Sequence, residues 1–232
     1  MLFSAFYCRA WVGALVTSTA SLTYAAAMMS VQVQQPVTRW LTTTVALAVV
    51  TVLVIASSSR DTRRLAIAFD QASRDPLTGL LNRRGLAARF GTGMAGTDAV
   101  SLLLVDIDHF KAVNDHCGHA VGDEVLVRLA RTLLAGSRAA DVVSRIGGEE
   151  FALVFPGCEP AQAHRRATSL CQRVATESVA WPAPVTLSVG TASCAGATAH
   201  LPDLLAAADH ALYAAKSAGR NTVRASSLPT AS

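Results

Sequence analysis

The sequence is short of charge, and the charge it has is unevenly placed. Only 16% of the 232 residues are charged, whereas about 25% is usual in a soluble globular domain. Hydrophobic residues make up 51% of the chain, which excludes an intrinsically disordered protein. Aspartate and glutamate are absent from residues 1–60, where the only charged side chains are Arg9, Arg39 and Arg60. Residues 61–232 hold the other 17 basic and all 16 acidic residues, a net charge of +1. The composition therefore does not indicate a nucleic-acid partner.

Two apolar segments in the carboxylate-free region are predicted to cross a membrane. They cover about residues 10–29 and 40–58, close to the ~20 residues that span a hydrocarbon core. Basic residues flank the pair on its outer sides, at Arg9, Arg60, Arg63 and Arg64. By the positive-inside rule we expect a helical hairpin in the cytoplasmic (inner) membrane, with the rest of the chain facing the cytoplasm. Two alternatives stay open: a cleaved signal peptide ending near residues 25–27, or the remainder of a larger multi-span sensor.

Cysteine is sparse and shows no CxxC pair. An odd number of thiols fits reduced, mostly buried residues better than a disulfide framework. The five are Cys8, Cys117, Cys158, Cys171 and Cys194. His116 and His119 flank Cys117, but the sequence offers no second ligand pair for a metal cluster at this place.

Residues 60–74 are predicted to form a helical stalk. Leu65, Phe69 and Ala72 recur at spacings of four and three, as in the seam of a helical dimer. Asp75-Pro76 ends the helix, because the residue before proline resists the helical conformation. Residues 75–226 then suffice for one domain with its own core, and residues 227–232 are predicted to be a disordered tail.

The hydrophobic pattern of residues 75–226 predicts an α+β fold with a β-α-β-β-α-β core. Helices are predicted over 80–90, 108–116, 122–134, 160–178 and 201–218, and strands over 100–105, 142–146, 149–155 and 185–192. Gly136 and Gly219 are candidate helix ends. Gly147-Gly148 is the signal of a two-residue hairpin.

This topology gathers carboxylates at one edge of the sheet. A crossover helix makes the first two strands parallel, and a return strand between them would run antiparallel to the first. Asp106 would then face Glu149 and Glu150. Clustered carboxylates repel unless a cation binds them, and Mg²⁺ is the natural hard cation. The alternatives are a helix N-cap at Asp106-Ile107-Asp108 and a solvated hairpin tip at the two glutamates.

The carboxylates belong to a series of five sequence motifs. The central one is Gly147-Gly148-Glu149-Glu150-Phe151. The others are Asp75 to Arg84 (DPLTGLLNRR), Asp106 to Lys111 with Asn114-Asp115, Gly118-His119 and Gly122-Asp123, Ser188-Val189-Gly190, and Ala208 to Lys216 with Gly219-Arg220-Asn221. Together they resemble the GGDEF-domain diguanylate cyclases, in the GGEEF variant. The resemblance covers about residues 73–224 and implies a palm-like core of the nucleotide-cyclase type.

The resemblance implies that two GTP molecules condense to cyclic di-GMP and release two pyrophosphates. Asp106, Glu149 and the backbone carbonyl of Ile107 would bind Mg²⁺ or Mn²⁺. Glu150 would be a secondary ligand or substrate contact. Glu149 is also the family's usual proton acceptor for the attacking ribose 3′-hydroxyl. Each domain would hold one GTP, so catalysis implies a homodimer.

The resemblance also assigns the substrate contacts. Asn114 and Asp123 would recognise the guanine edge, with His119 supporting that pocket. Lys111 would stabilise charge on the phosphates. Lys216 and Arg220, four residues apart on the predicted last helix, would bind the phosphates. Without the resemblance, they would be a solvated basic pair.

Arg138-Ala139-Ala140-Asp141 is the RxxD pattern of the family's product-inhibition site. Arg173 on the following helix is a candidate second contact for the product. The leading hypothesis is therefore a membrane-anchored diguanylate cyclase inhibited by its product. One alternative is a catalytically inactive receptor that binds cyclic di-GMP or GTP, and another is a nucleotide cyclase with a different base preference.

Overall fold

The computed structural model describes residues 40–52, 72–93 and 97–227, with isolated positions at 23, 26, 27, 37 and 38. Contacts divide the chain into two units, Met1–Phe69 and Asp70–Ser232. In the first, residues 40–52 are helical. No helix within the described residues is both long enough and apolar enough to cross a membrane. Most of the predicted segment at 10–29 and most of the predicted stalk lie outside the described residues.

The described part of the second unit is a five-stranded mixed sheet with helices on both faces. Its strands are β1 (Ala99–Ile107), β2 (Val142–Arg145), β3 (Glu150–Pro156), β4 (Leu187–Ala195) and β5 (Val223–Ser227). Its helices are α1 (Arg83–Gly93), α2 (Phe110–Cys117), α3 (His119–Ala135), α4 (Pro160–Glu177) and α5 (Leu201–Ser217). The order across the sheet is β2-β3-β1-β4-β5.

The predicted insertion of the return strand is confirmed. β3 lies between β1 and β2 and is antiparallel to both, so β1 and β2 run in the same direction. β4 is antiparallel to β1 on its other side. The first strand is thus the centre of the sheet, and its carboxyl end meets the start of β3.

β1 is apolar on both faces because it is covered on both. All nine of its residues are buried. Leu103, Val105 and Ile107 belong to one core cluster, together with residues of α3 and α4. Leu102 and Leu104 belong to a second cluster, with residues of α1 and α5. A strand buried on both faces is a firm support for the residue at its end.

Sequence-based assignments at the sheet edge and at the central turn are wrong. β5 was not predicted, because Val223-Arg224-Ala225-Ser226-Ser227 has too little hydrophobic alternation for a strand, and it pairs in parallel with β4 at the sheet edge. Ser227, placed in the tail, belongs to this strand. The two central glycines do not form a two-residue hairpin. Residues 146–149 all lie in the connection, where the N–H groups of Ile146 and Gly147 donate to the Glu150 carbonyl at 2.9 and 3.3 Å.

The four described cysteines differ in exposure. Cys158 and Cys171 are buried, Cys194 is half-buried and Cys117 is exposed. Burial, with a smaller contribution from Asp108, raises the pKa of the Cys171 thiol to about 12. Cys171 therefore packs in the core as an uncharged thiol.

Candidate active site

Asp106 lies at the carboxyl end of β1, between two neighbouring strands. It pairs with Glu150 of β3 on one side and with Ser188 of β4 on the other. The residue is 4% exposed. Glu149 lies in the connection just before β3, so the sheet register brings the predicted carboxylates to one edge.

The connection that carries Glu149 is fixed by Arg145. Its Nη2 and Nε atoms donate to the Gly148 carbonyl at 2.6 and 3.2 Å. Its Nη1 atom reaches the two carboxylate oxygens of Asp75 at 3.0 and 3.2 Å. One planar guanidinium thus joins Asp75, which opens the 75–84 motif, to the 146–149 connection. No local sequence pattern indicates this role for Arg145.

Asp75 is the acceptor at the centre of its own turn. Its Oδ1 atom accepts from the Thr78 N–H at 2.8 Å and from the Thr78 hydroxyl at 2.6 Å. Burial alone would raise the pKa of Asp75, but the hydrogen bonds from Thr78 and Arg145 outweigh it and lower the pKa below its ordinary value. The charged form is therefore the one that the fold stabilises.

Gly147 makes room for Glu150. A Cβ atom on Gly147 would lie 2.5 Å from Oε2 of Glu150, so the glutamate side chain folds back over the glycine backbone. A larger residue at this position would push the carboxylate away.

Lys216 provides the cation at Asp106. It is in the last turn of α5, and its Nζ atom lies 2.8 Å from Oδ2 of Asp106. The helix can approach this closely because Gly190 of β4 has no side chain; a Cβ there would overlap the Ala208 carbonyl and the Leu212 amide.

The carboxylates at this edge are short of compensating positive charge. Burial raises the pKa of Asp106, and the Lys216 ammonium only partly opposes it. Burial also raises the pKa of Glu149, and the charges of Asp106 and Glu150 add to that effect. Both groups therefore hold protons more readily than free carboxyls do.

This donor set has the chemistry that Mg²⁺ prefers, namely hard carboxylate oxygens whose mutual repulsion a cation would relieve. The described residues nevertheless contain no cluster of three or more His, Cys, Asp or Glu side chains arranged to hold an ion. Lys216 is the group that contacts the Asp106 carboxylate.

Comparisons with known proteins agree with this geometry. Residues 72–222 match the family described as "Diguanylate cyclase, GGDEF domain". The chain belongs to this family. It is 39% identical over 165 residues to the probable diguanylate cyclase DgcC of Escherichia coli K12, which is 68% of this chain and 44% of DgcC. The chain thus spans less than half the length of that relative.

Two solved GGDEF-type structures share the fold. The coiled coil and GGDEF domain of DgcB from Caulobacter crescentus, in complex with c-di-GMP, has a TM-score of 0.66 at 28% identity, covering 78% of this chain and 100% of that one. The active GGEEF domain of a diguanylate cyclase from Vibrio cholerae has a TM-score of 0.59 at 31% identity, covering 65% and 99%.

Within the GGDEF domain, the two guanine-reading candidates lie close together. Asn114 of α2 points its Oδ1 atom at the backbone of Gly122, where a side chain would overlap it. Gly122 directly precedes Asp123 on α3, so the Asn114 amide lies next to the backbone that carries Asp123. His119 opens α3 and Lys111 is in the first turn of α2, and both are exposed. Neither makes a side-chain hydrogen bond or ion pair with another described residue.

The placement of Arg220 on the last helix is wrong. α5 ends at Ser217, and Arg220 follows it in a left-handed conformation with φ of 65°. Its guanidinium still acts on the site, since its charge lowers the pKa of Asp106, after the larger effects of burial and Lys216. Lys216 therefore contacts the Asp106 carboxylate from the end of α5, and Arg220 acts on it only through its charge.

Asp108 of the same motif does not cap a helix. The N-cap position of α2 is His109, without a side-chain cap. The Asp108 carboxylate instead accepts hydrogen bonds from Thr186, Ser188 and the Asn221 backbone. No local sequence pattern indicates these partners, which are about 80 residues or more away along the chain.

The RxxD pair has a third member, Arg166, that no local sequence pattern indicates. Asp141 is bound by Arg166 of α4 at 2.5 Å, and its side chain is only 2% exposed. The Arg166 guanidinium also lies 3.6 Å from the centre of the Phe155 ring. Arg138 itself is exposed and donates its backbone N–H to Asp141 at 2.6 Å. Arg173 and Arg166 line a nearby cavity of about 110 Å³.

Proposed function

We propose that this chain is a diguanylate cyclase that condenses two GTP molecules into cyclic di-GMP and releases two pyrophosphates. The observation that carries the proposal is the ion pair between Asp106 and Lys216 beside Glu149. Carboxylates and a cation there suit a phosphoryl-transfer site. Membership of the GGDEF family supports the substrate class.

The chain's own residues divide the work. Lys216 and Arg220 would bind the triphosphate, because ammonium and guanidinium groups donate to phosphate oxygens. Lys111, in the first turn of α2, would stabilise charge on the phosphates during transfer. Asn114 and Asp123 would recognise guanine, whose N1–H and amino group require acceptors. His119 would border that base pocket.

Glu149 is our candidate for the proton acceptor. Without a bound cation, burial and the neighbouring carboxylates raise its pKa above the ordinary value, so the carboxylate takes up a proton more readily than a free glutamate does. It would take the proton of the ribose 3′-hydroxyl as that oxygen attacks the α-phosphate of the other GTP. Each domain holds one nucleotide, so two domains must face each other, and we propose a homodimer.

Asp106, Glu149, Glu150 and the Ile107 carbonyl would hold the divalent cation. When bound, Mg²⁺ would neutralise phosphate charge and lower the pKa of the attacking hydroxyl. Lys216 would then exchange its contact with Asp106 for one with a phosphate oxygen.

Turnover by the purified chain tests this function. With Mg²⁺ and GTP we expect cyclic di-GMP, and we expect Glu149→Gln to lose at least about a hundredfold in rate. The matched control is Glu159→Gln, because Glu159 stands before α4 and makes no side-chain cap bond. Binding of GTP without turnover by the wild-type chain would instead identify a receptor.

We also propose product inhibition at Arg138 and Asp141. Cyclic di-GMP is a dianion, and Arg138 offers an exposed guanidinium. Arg138→Ala should raise the inhibitory product concentration about tenfold or more without loss of initial rate. Arg131→Ala, at an exposed position on α3, is the control. Equal inhibition of wild type and Arg138→Ala would exclude this site.

Attachment to the cytoplasmic membrane is part of the proposal. It rests on the carboxylate-free region, residues 1–60, with its two apolar segments. Cell fractionation with alkaline carbonate extraction tests it: an integral protein stays in the pellet. Protease added to spheroplasts should leave the domain intact if it faces the cytoplasm.

A further inference from the structure

The carboxylate of Asp108 is buried and fully engaged. The residue is 5% exposed. Its Oδ1 atom accepts from the Ser188 hydroxyl at 2.6 Å, and its Oδ2 atom accepts from the Thr186 hydroxyl at 2.7 Å and the Asn221 N–H at 3.0 Å. A buried carboxylate is tolerated when donors surround it in this way. Its oxygens point to β4 and to the turn after α5.

That turn has an unfavourable backbone. Gly219, Arg220 and Asn221 have φ values of 105°, 65° and 44°. Two consecutive residues with side chains in the left-handed region need external support. Support comes from three backbone hydrogen bonds: Arg220 N–H to the Ala215 carbonyl at 3.2 Å, Val189 N–H to the Thr222 carbonyl at 3.0 Å, and Asn221 N–H to Asp108.

The last of these bonds is the one that ends on a side chain, and it holds the residue next to Arg220. We propose that Asp108 is a positioning residue that fixes the 219–221 turn and so aims Arg220 at the phosphates of GTP. The inference rests on the proposed function of the site. It also separates the two aspartates of one motif: Asp106 serves the reacting groups, whereas Asp108 serves the fold around them.

Asparagine distinguishes the two roles. In Asp108→Asn, the amide oxygen can take the place of Oδ2 and accept from Thr186 and Asn221, while the amide N–H donates to Ser188, because a hydroxyl can accept as well as donate. The turn then keeps its support. A residue needed for its negative charge, such as Asp106, has no such rescue.

The experiment measures binding of α,β-methylene GTP, which cannot release pyrophosphate, to the full chain in Mg²⁺. Wild type, Asp108→Asn, Asp108→Ala, Arg220→Ala and the double variant Asp108→Ala/Arg220→Ala are compared, with turnover of GTP measured in parallel. We expect Asp108→Asn to bind within about threefold of wild type and Asp108→Ala to bind about tenfold more weakly. The double variant should be no weaker than Arg220→Ala alone, because both changes remove the same contact.

Lys216→Ala is the control, since its effect should add to that of Asp108→Ala. Additive losses for Asp108 and Arg220, or an Asp108→Asn variant that folds but binds as poorly as Asp106→Asn, would overturn the proposal. Should Asp108→Ala fail to fold, the Asp108→Asn comparison decides alone, together with its Mg²⁺ dependence, which we expect to be unchanged. A wild type that binds the analogue but makes no cyclic di-GMP contradicts the proposed activity and leaves this test intact. A wild type that binds no analogue contradicts both.

Discussion

Asp106 has a counter-ion within its own domain. The Lys216 ammonium contacts it at 2.8 Å, yet burial still raises the pKa of the carboxyl above its ordinary value. The ionised form therefore costs folding free energy in the absence of a metal. This is the usual conflict between stability and function at a site that binds a cation.

A prediction for Asp106 follows from that cost. Without Mg²⁺, Asp106→Asn should unfold at a temperature equal to or a few degrees above that of wild type at neutral pH. Folding raises the pKa of the Asp106 carboxyl, so protonation at lower pH stabilises the folded wild type. The difference in melting temperature between Asp106→Asn and wild type should therefore narrow as pH falls through the raised pKa toward the ordinary value of 3.8. Millimolar Mg²⁺ should raise the melting temperature of wild type and not that of the variant. Thermal unfolding by circular dichroism measures both, and a variant that Mg²⁺ stabilises as much as wild type would contradict the assignment of Asp106 as a ligand.

Some residues of the site could be predicted from the sequence and others could not. Asp106, Glu149 and Lys216 stand in motifs, and the predicted sheet register pairs Asp106 with Glu150, the residue after Glu149. The contact of Lys216 with Asp106 was not predicted, because it depends on how α5 packs. Arg145 and Arg166 act through partners that no local pattern reveals. Asp75 lies 70 residues from Arg145, and Asp141 lies 25 residues from Arg166.

Among the elements, the 146–149 connection depends most on a single side chain. The Arg145 guanidinium contacts both the Gly148 carbonyl and the Asp75 carboxylate. The Arg145 side chain is 13% exposed and the Asp75 side chain is 17% exposed. A partly buried forked contact is one that lysine cannot reproduce, because its ammonium is a single point of donation.

We therefore predict that Arg145→Lys keeps an ion pair with Asp75 but releases the Gly148 carbonyl, lowering turnover about tenfold. The loss should appear in turnover more than in melting temperature, because Glu149 is misplaced while the sheet is intact. Arg128→Lys is the matched control, since Arg128 pairs with Glu124 on an exposed helix face. Initial rates of cyclic di-GMP formation measure the effect. An Arg145→Lys chain as active as Arg128→Lys would show that the 146–149 connection does not need the Arg145 guanidinium.

Element boundaries were predictable where apolar periodicity is strong. The helix predicted over 160–178 is Pro160–Glu177, and the helix predicted over 201–218 is Leu201–Ser217. Prediction failed where tertiary contacts override local pattern. α3 starts at His119 rather than at residue 122, because Gly118 alone separates it from α2. β5 has one buried apolar residue, Val223, and owes its existence to pairing with β4.

At the scale of the whole molecule, one domain supplies only half of the proposed reaction. We propose that its site would hold one triphosphate near Lys216 and Arg220, while two phosphodiester bonds must form. Under this proposal we expect activity to depend on how two domains meet.

This arrangement predicts that an inactive subunit inhibits product formation by the active subunit in a mixed dimer. In wild type mixed with Glu149→Gln and allowed to exchange subunits, cyclic di-GMP formation should fall as the square of the wild-type fraction. Each bond needs a proton acceptor, so a mixed pair closes at most one of them. The control mixes wild type with Glu159→Gln, and the rate of cyclic di-GMP formation should then be the same at every mixing ratio. A linear dependence on the wild-type fraction would mean that a single site completes both bonds.

The bond between Asp108 and Asn221 has a consequence for the time at which the site appears. It joins residues 113 positions apart. A ribosome adds about 5–20 residues per second, so the carboxylates of β1 precede the turn that completes the site by roughly 6 to 23 s. During that interval the nascent chain carries its acidic residues without the Lys216 ammonium that partly neutralises them. The order of synthesis therefore delays the appearance of a nucleotide-binding site until nearly the whole domain has been made.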